Sequence, residues 1–193
     1  MPISDCQVRD PRIRRTRQML QAALQSLLEK KPFDEISVQT ITETATINRA
    51  TFYDHYTDKF ALFEALVGAG FHRMLHERKV CDDTGCAVAL DALVLATCDY
   101  LAQRRSGSAI CQKQSAFEPL ADAAIIAVIQ RVVSLSIAAR PGKNKRSKLT
   151  ATAASWAIFG AAKEWVATPD QVPAEKIVSQ VLQIISPLLG DQA

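Results

Sequence analysis

Residues 37–63 read SVQTITETATINRATFYDHYTDKFALF. The stretch divides into two short helices, a tight turn between them, and the start of a longer helix. Ser37 is a suitable N-cap for the first, whose apolar face is Val38, Ile41 and Ala45. Asn48 caps the second, which turns Phe52 and Tyr56 inward. Asp58 caps the third, with Phe60, Phe63, Leu66, Val67, Phe71, Met74 and Leu75 on its buried side and an end near Val80. The second helix also carries Arg49, Thr51, Tyr53 and His55, side chains able to donate to DNA, on a body too apolar for a free loop. That pattern points to a helix-turn-helix that reads duplex DNA.

Upstream, Leu20, Ala23, Leu24, Leu27 and Leu28 form an amphipathic stripe, so a helix is expected from about Arg12 to Glu29. Lys30, Lys31 and Pro32 end it, since basic residues suit the helix C-terminus and proline cannot continue it. Arg9, Arg12, Arg14, Arg15 and Arg17 crowd the N-terminus, an arrangement suited to a polyanion. Downstream, further helices are expected at about 86–104, 108–117, 120–139, 146–167 and 173–189, separated by glycine and proline. No alternating strand pattern persists. The expected fold is all-α with about nine helices: residues 1–57 form the arm and helix-turn-helix head, and 58–193 a helical body.

The chain has 193 residues, 48% of them apolar, enough for a substantial core, and its net charge of +3 is by itself weak support for a nucleic-acid partner. Five cysteines form no recognisable disulfide framework, which argues for reduced thiols and a cytoplasmic location. No apolar signal core opens the chain. The most apolar run, 120–139, contains Asp122, Gln130 and Arg131 and is expected to fall short of a membrane span.

Residues 12–67 resemble the DNA-binding head of the TetR family of transcriptional regulators. The resemblance rests on TFYDHYTDKFALF at 51–63, close to the family pattern T-x-Y-x-H-F/Y-x-x-K-x-x-L, and on SVQTITETA upstream. It implies a dimeric, effector-responsive regulator, most simply a repressor, on near-palindromic operator DNA. By position, Ser37, Gln39, Asn48, Arg49, Ala50, Thr51, Tyr53, His55 and Lys59 become the DNA-binding set. Gln39 and Arg49 stand at base-edge positions, Ala50 at a close approach to a thymine methyl, and Lys59 where a phosphate is gripped. The chain departs from the family at Thr46, where a turn glycine is usual. A β-branched residue with positive φ is strained, so a reshaped turn is one expected outcome.

In the body, the resemblance implies an effector pocket. Leu93, Leu95, Cys98, Tyr100, Phe117, Ile125 and Ile129 are candidates for its apolar wall, though plain core is the simpler reading of each. The last two helices suggest a homodimer interface, with Trp156, Phe159, Gly160, Val181, Ile185 and Leu188 as candidates, because the final helix is apolar over more than one face. No cofactor is expected. A metal- or redox-responsive alternative would use His72, His76, Cys81 and Cys86, but no C-x-x-C accompanies them and acidic neighbours keep the thiols protonated. A helical ligand carrier or enzyme without DNA binding is the other rival. No phosphate loop, G-x-S-x-G elbow or paired His–carboxylate motif supports an enzyme.

Overall fold

A computed structural model describes residues 10–80, 90–106, 117–138, 147–168 and 172–189. Among these residues every regular element is helical. Eight α-helices follow in order: α1 Pro11–Leu28, α2 Val38–Ala45, α3 Arg49–His55, α4 Lys59–Glu77, α5 Leu90–Ser106, α6 Glu118–Ala138, α7 Ser147–Ala167 and α8 Ala174–Leu189. A short 3₁₀ turn, Phe33–Glu35, precedes α2. The helix expected at 108–117 falls outside the described residues except for Phe117, as do Cys81, Cys86 and most of the basic run at 140–148.

The contacts divide the chain into two compact units, Met1–Gly70 with Gly107–Ala124, and Phe71–Ser106 with Ile125–Ala193. Two of the three cuts fall inside helices, α4 and α6.

The first unit is built on α1 to α3. Asp10 Oδ1 accepts from the Arg12 N–H at 2.8 Å and Pro11 occupies the first helical position, so α1 starts with its orphan donors largely answered. Leu20, Leu24 and Leu27 are buried as α1 packs on α2, contributing about 1.5–3 kcal/mol each by area. Gln21 Nε2 donates to the Tyr56 hydroxyl at 3.2 Å, and the Arg17 guanidinium lies 5.6 Å from the Tyr56 ring centre. Phe33 is fully buried and gathers Phe60, Phe63 and Phe117 at centroid distances of 5.5, 5.0 and 4.7 Å. Phe117 therefore belongs to the head's aromatic cluster and not to a wall in the body, a correction to its expected place.

In the second unit α5, α7 and α8 pack on one another. Leu93, Val94, Cys98, Ile125, Ile129, Ile158 and Ile185 are fully buried. Polar ties join neighbouring helices: Arg78 pairs with Asp99 at 2.6 Å, Gln130 Nε2 donates to Thr152 Oγ1 at 2.7 Å, and Arg105 donates to the Val166 carbonyl. The helix α4 ends at Glu77, three residues before the expected end. Lys79 takes a left-handed conformation (φ 55°) and the Val80 N–H closes on the Leu75 carbonyl at 2.9 Å, which terminates the helix without glycine.

By length and composition α6 is apolar enough to cross a membrane, contrary to the expectation from its three polar residues, but half of its most apolar window is buried inside the protein. Ile125, Ile129 and Val133 recur on one buried face of α6, the pattern of a core helix.

Candidate nucleic-acid interface

Each helix of the motif begins with a side-chain cap. Ser37 Oγ accepts from the Thr40 N–H at 3.1 Å and lies 2.9 Å from Thr40 Oγ1. Asn48 Oδ1 accepts from the Ala50 N–H at 2.8 Å, and Asp58 Oδ1 from the Ala61 N–H at 2.8 Å. Such caps contribute about 1 kcal/mol each and fix where each helix starts. Ser37 and Asn48, expected at the DNA, thus also start the two helices.

The turn keeps its shape despite lacking glycine. Thr46 itself takes the left-handed conformation (φ 55°, ψ 42°). Its N–H bonds to the Glu43 carbonyl at 3.1 Å, and the Ile47 N–H bonds back to the Thr42 carbonyl at 2.9 Å, closing α2 in a Schellman pattern. The expected reshaping does not occur. Thr46 instead bears the strain of that conformation, about 1–2 kcal/mol.

Beneath the motif Ile41, Ala45, Phe52 and Tyr56 are buried. Above it Gln39, Asn48, Arg49, Ala50 and Tyr53 are exposed, and Thr51 and His55 half-buried. One face of α3 is thus anchored in apolar packing and the other offers hydrogen-bonding groups. Arg49 Nη2 lies 3.3 Å from the Tyr53 hydroxyl, and its guanidinium is 5.7 Å from the Tyr53 ring centre, so the two side chains restrain each other. Gln39 Nε2 donates to Glu43 Oε1 at 2.9 Å. Glu43 was not singled out from sequence, although its position four residues after Gln39 is the spacing at which helical side chains meet. Burial, with repulsion from Arg17, lowers the His55 pKa below its ordinary value, and Asp54 partly offsets this.

Lys59 does not stand as expected. Its Nζ donates to three backbone carbonyls, those of Phe33 (3.0 Å), Asp34 (3.2 Å) and Ile36 (2.8 Å), and lies 4.8 Å from the Phe33 ring centre. An ammonium has three protons, and all three have acceptors inside the head. The residue ties the connector before α2 to the start of α4. That replaces its assignment as a phosphate grip.

Residues 20–66 match the family described as bacterial regulatory proteins, tetR family. The head is thus similar to that of TetR-family regulators. Over 59 residues the chain is 44% identical to the HTH-type transcriptional regulator YxbF of Bacillus subtilis (strain 168), a match that covers 30% of this chain and 16% of that protein's length. Solved structures extend the likeness to the whole fold. The dihydroxyacetone kinase operon activator DhaS aligns with a TM-score of 0.53 at 16% identity, over 91% of this chain and 96% of its own. The transcriptional regulator SCO7518 of Streptomyces coelicolor A3(2) gives 0.51 at 14% identity, over 89% and 98%. The TetR family repressor AlkX of Dietzia sp. gives 0.51 at 14% identity, over 89% and 96%.

The body residues separate into two groups. Leu93, Cys98, Ile125 and Ile129 are closed core, Leu95 is half-buried, and Tyr100 packs its ring 5.0 Å from that of Phe71. Burial pushes the Cys98 thiol up to about 11, which makes it a poor nucleophile. Of the residues expected at a dimer interface, Phe159, Val181 and Ile185 are buried within the protomer and so are corrected to its own core. Trp156 (59% exposed), Gly160 and Leu188 face outward, and they are joined there by Leu149 and Ile184, which sequence reading did not choose. On α7 the exposed Leu149, Ala153, Trp156 and Gly160 follow helical spacing into one small and apolar stripe. Among the described residues no cluster of His, Cys, Asp or Glu is placed to hold a metal.

Proposed function

We propose that the protein is a transcriptional repressor that binds near-palindromic operator DNA as a homodimer and is released by a small-molecule effector. The observation that carries this reading is the two-sided α3. Its buried Phe52 and the following Tyr56 lock it to the head, while Arg49, Ala50 and Tyr53 are exposed on its other face, as a helix entering a major groove requires. Arg49 is the donor fork for a guanine edge, and Gln39 at the start of α2 reads a neighbouring base. Thr51, Tyr53 and His55 flank them toward phosphates, with backbone N–H groups at the starts of α2 and α3.

Dimerisation is supported by the outward apolar stripe of α7 together with Ile184 and Leu188 of α8, large apolar side chains left exposed among the described residues. A two-fold dimer presents two α3 helices to major grooves about 34–36 Å apart. The effector acts by favouring one spacing of the heads, a coupling of about 1–3 kcal/mol.

Selection of bound duplexes from a random pool tests the reading. It should return a two-fold motif with half-sites one helical turn apart, and small molecules can then be screened for release of that duplex. A pool that stays unenriched at low ionic strength rejects the function.

A further inference from the structure

The exposed side of α2 carries a carboxylate that DNA binding alone does not explain. Glu43 lies one turn after Gln39, and its Oε1 accepts from Gln39 Nε2 at 2.9 Å. An ionised carboxylate only accepts hydrogen bonds. It therefore selects one orientation of the Gln39 carboxamide, with Nε2 toward Glu43 and Oε1 away from it. Of the two Nε2 protons one is engaged. One donor and one acceptor remain, side by side.

That remaining pair fits one base edge. Adenine shows an N6 amino donor and an N7 acceptor in the major groove, so Oε1 can take the N6 proton while the second Nε2 proton goes to N7. Guanine shows two acceptors, O6 and N7, and satisfying both would need both Nε2 protons. Thymine O4 and cytosine N4 each meet only one group. In water an exposed Gln–Glu pair on a helix is weak. In a groove emptied of water the charge-assisted bond strengthens, and the orientation it imposes counts for more.

We infer that Glu43 is a positioning residue for sequence specificity, which turns Gln39 toward adenine and against guanine at one position of each half-site. The inference rests on the proposal that α2 and α3 face bases in duplex DNA.

The test is selection from a random duplex pool by the full chain and by Gln39→Ala, Glu43→Ala and Glu43→Gln. Alanine is the best helix former and Glu43 is exposed, so α2 stays folded. The wild type should prefer adenine over guanine at a position that Gln39→Ala makes indifferent. Glu43→Ala should lower the adenine-to-guanine ratio there by about fivefold or more, the lower range for one bidentate base contact, and leave other positions alone. Glu43→Gln can donate as well as accept, so it no longer selects one orientation of Gln39 and should lower the ratio too. An unchanged ratio in Glu43→Ala overturns the role of Glu43 while leaving DNA binding intact. An adenine preference kept in full by Glu43→Gln also overturns it, since a residue able to donate would then serve as well as an acceptor-only carboxylate. A wild type that enriches no sequence rejects DNA reading itself, and the inference with it.

Discussion

Replacing Lys59 by alanine should unfold the head more easily and leave its attraction to phosphates unchanged. The Lys59 ammonium donates to the carbonyls of Phe33, Asp34 and Ile36 at 2.8–3.2 Å. Hydrogen bonds to a charged donor contribute about 1.5–3 kcal/mol each. Asp34 is exposed and its carbonyl can turn to water, whereas Phe33 and Ile36 are buried. Contact with the Phe33 ring adds roughly 0.5–1 kcal/mol. With partial rehydration the loss is about 2–4 kcal/mol, a large share of the roughly 5–15 kcal/mol typical of a folded protein. Urea unfolding followed by circular dichroism should show an unfolding free energy lower by that amount. Lys59→Met keeps the apolar stem and isolates the ammonium, and it should lose most of the same stability. The salt dependence of duplex binding supplies the second readout. A lysine on a phosphate contributes about 0.9 to the log–log slope. The account predicts no change in slope for either variant. Stability within about 0.5 kcal/mol of wild type, together with a slope lower by about 1, would refute the internal role and return Lys59 to the phosphates.

Further perturbations test the turn, the outer face and the titration of the head. Thr46→Gly should raise stability by about 1 kcal/mol by relieving a left-handed β-branched residue, with duplex affinity unchanged; a loss of stability in urea unfolding would show that the threonine is not strained. Trp156→Asp places a charge on the outward stripe of α7, so the protomer should stay helical while the dimer dissociates in sedimentation; the cost is on the order of 2–5 kcal/mol of association energy, and a dimer of unchanged strength would move the interface elsewhere. His55 has a lowered pKa in the folded head, chiefly from burial, so the unfolded chain takes up the proton first as pH falls. Its contribution to stability is therefore present above about pH 6.5 and is lost as pH falls through the folded value. His55→Gln should flatten that part of the pH profile of the unfolding midpoint, and a profile identical to wild type would remove His55 as its source.

The head was legible in sequence because its signals are local. Ser37, Asn48 and Asp58 each cap a helix two or three residues away, and Phe52 and Tyr56 declare their inward face by spacing. Thr46 was recognisable as the left-handed position, but whether the turn would change or the threonine would comply depends on how firmly α2 and α3 are held, which no single residue states. The Lys59 bonds were not legible, since their acceptors are backbone atoms 23 to 26 residues upstream. Phe117 was misplaced for the same reason, its partner Phe33 lying in a different part of the chain. In the last helix Val181, Ile184, Ile185 and Leu188 are all apolar, so periodicity could not separate the stripe facing the protomer's core from the stripe facing out. The structure makes that separation: Val181 and Ile185 are buried, and Ile184 and Leu188 are exposed.

The most direct measurement is fluorescence anisotropy of a selected duplex titrated with the wild-type protein and with Arg49→Ala across a range of salt concentrations. The account predicts tight wild-type binding whose affinity falls steeply with salt, and a loss of about 1–3 kcal/mol in Arg49→Ala confined to duplexes carrying the preferred base at one position per half-site. Equal affinity of the two proteins for that duplex, or no binding by the wild type even at low salt, would contradict it.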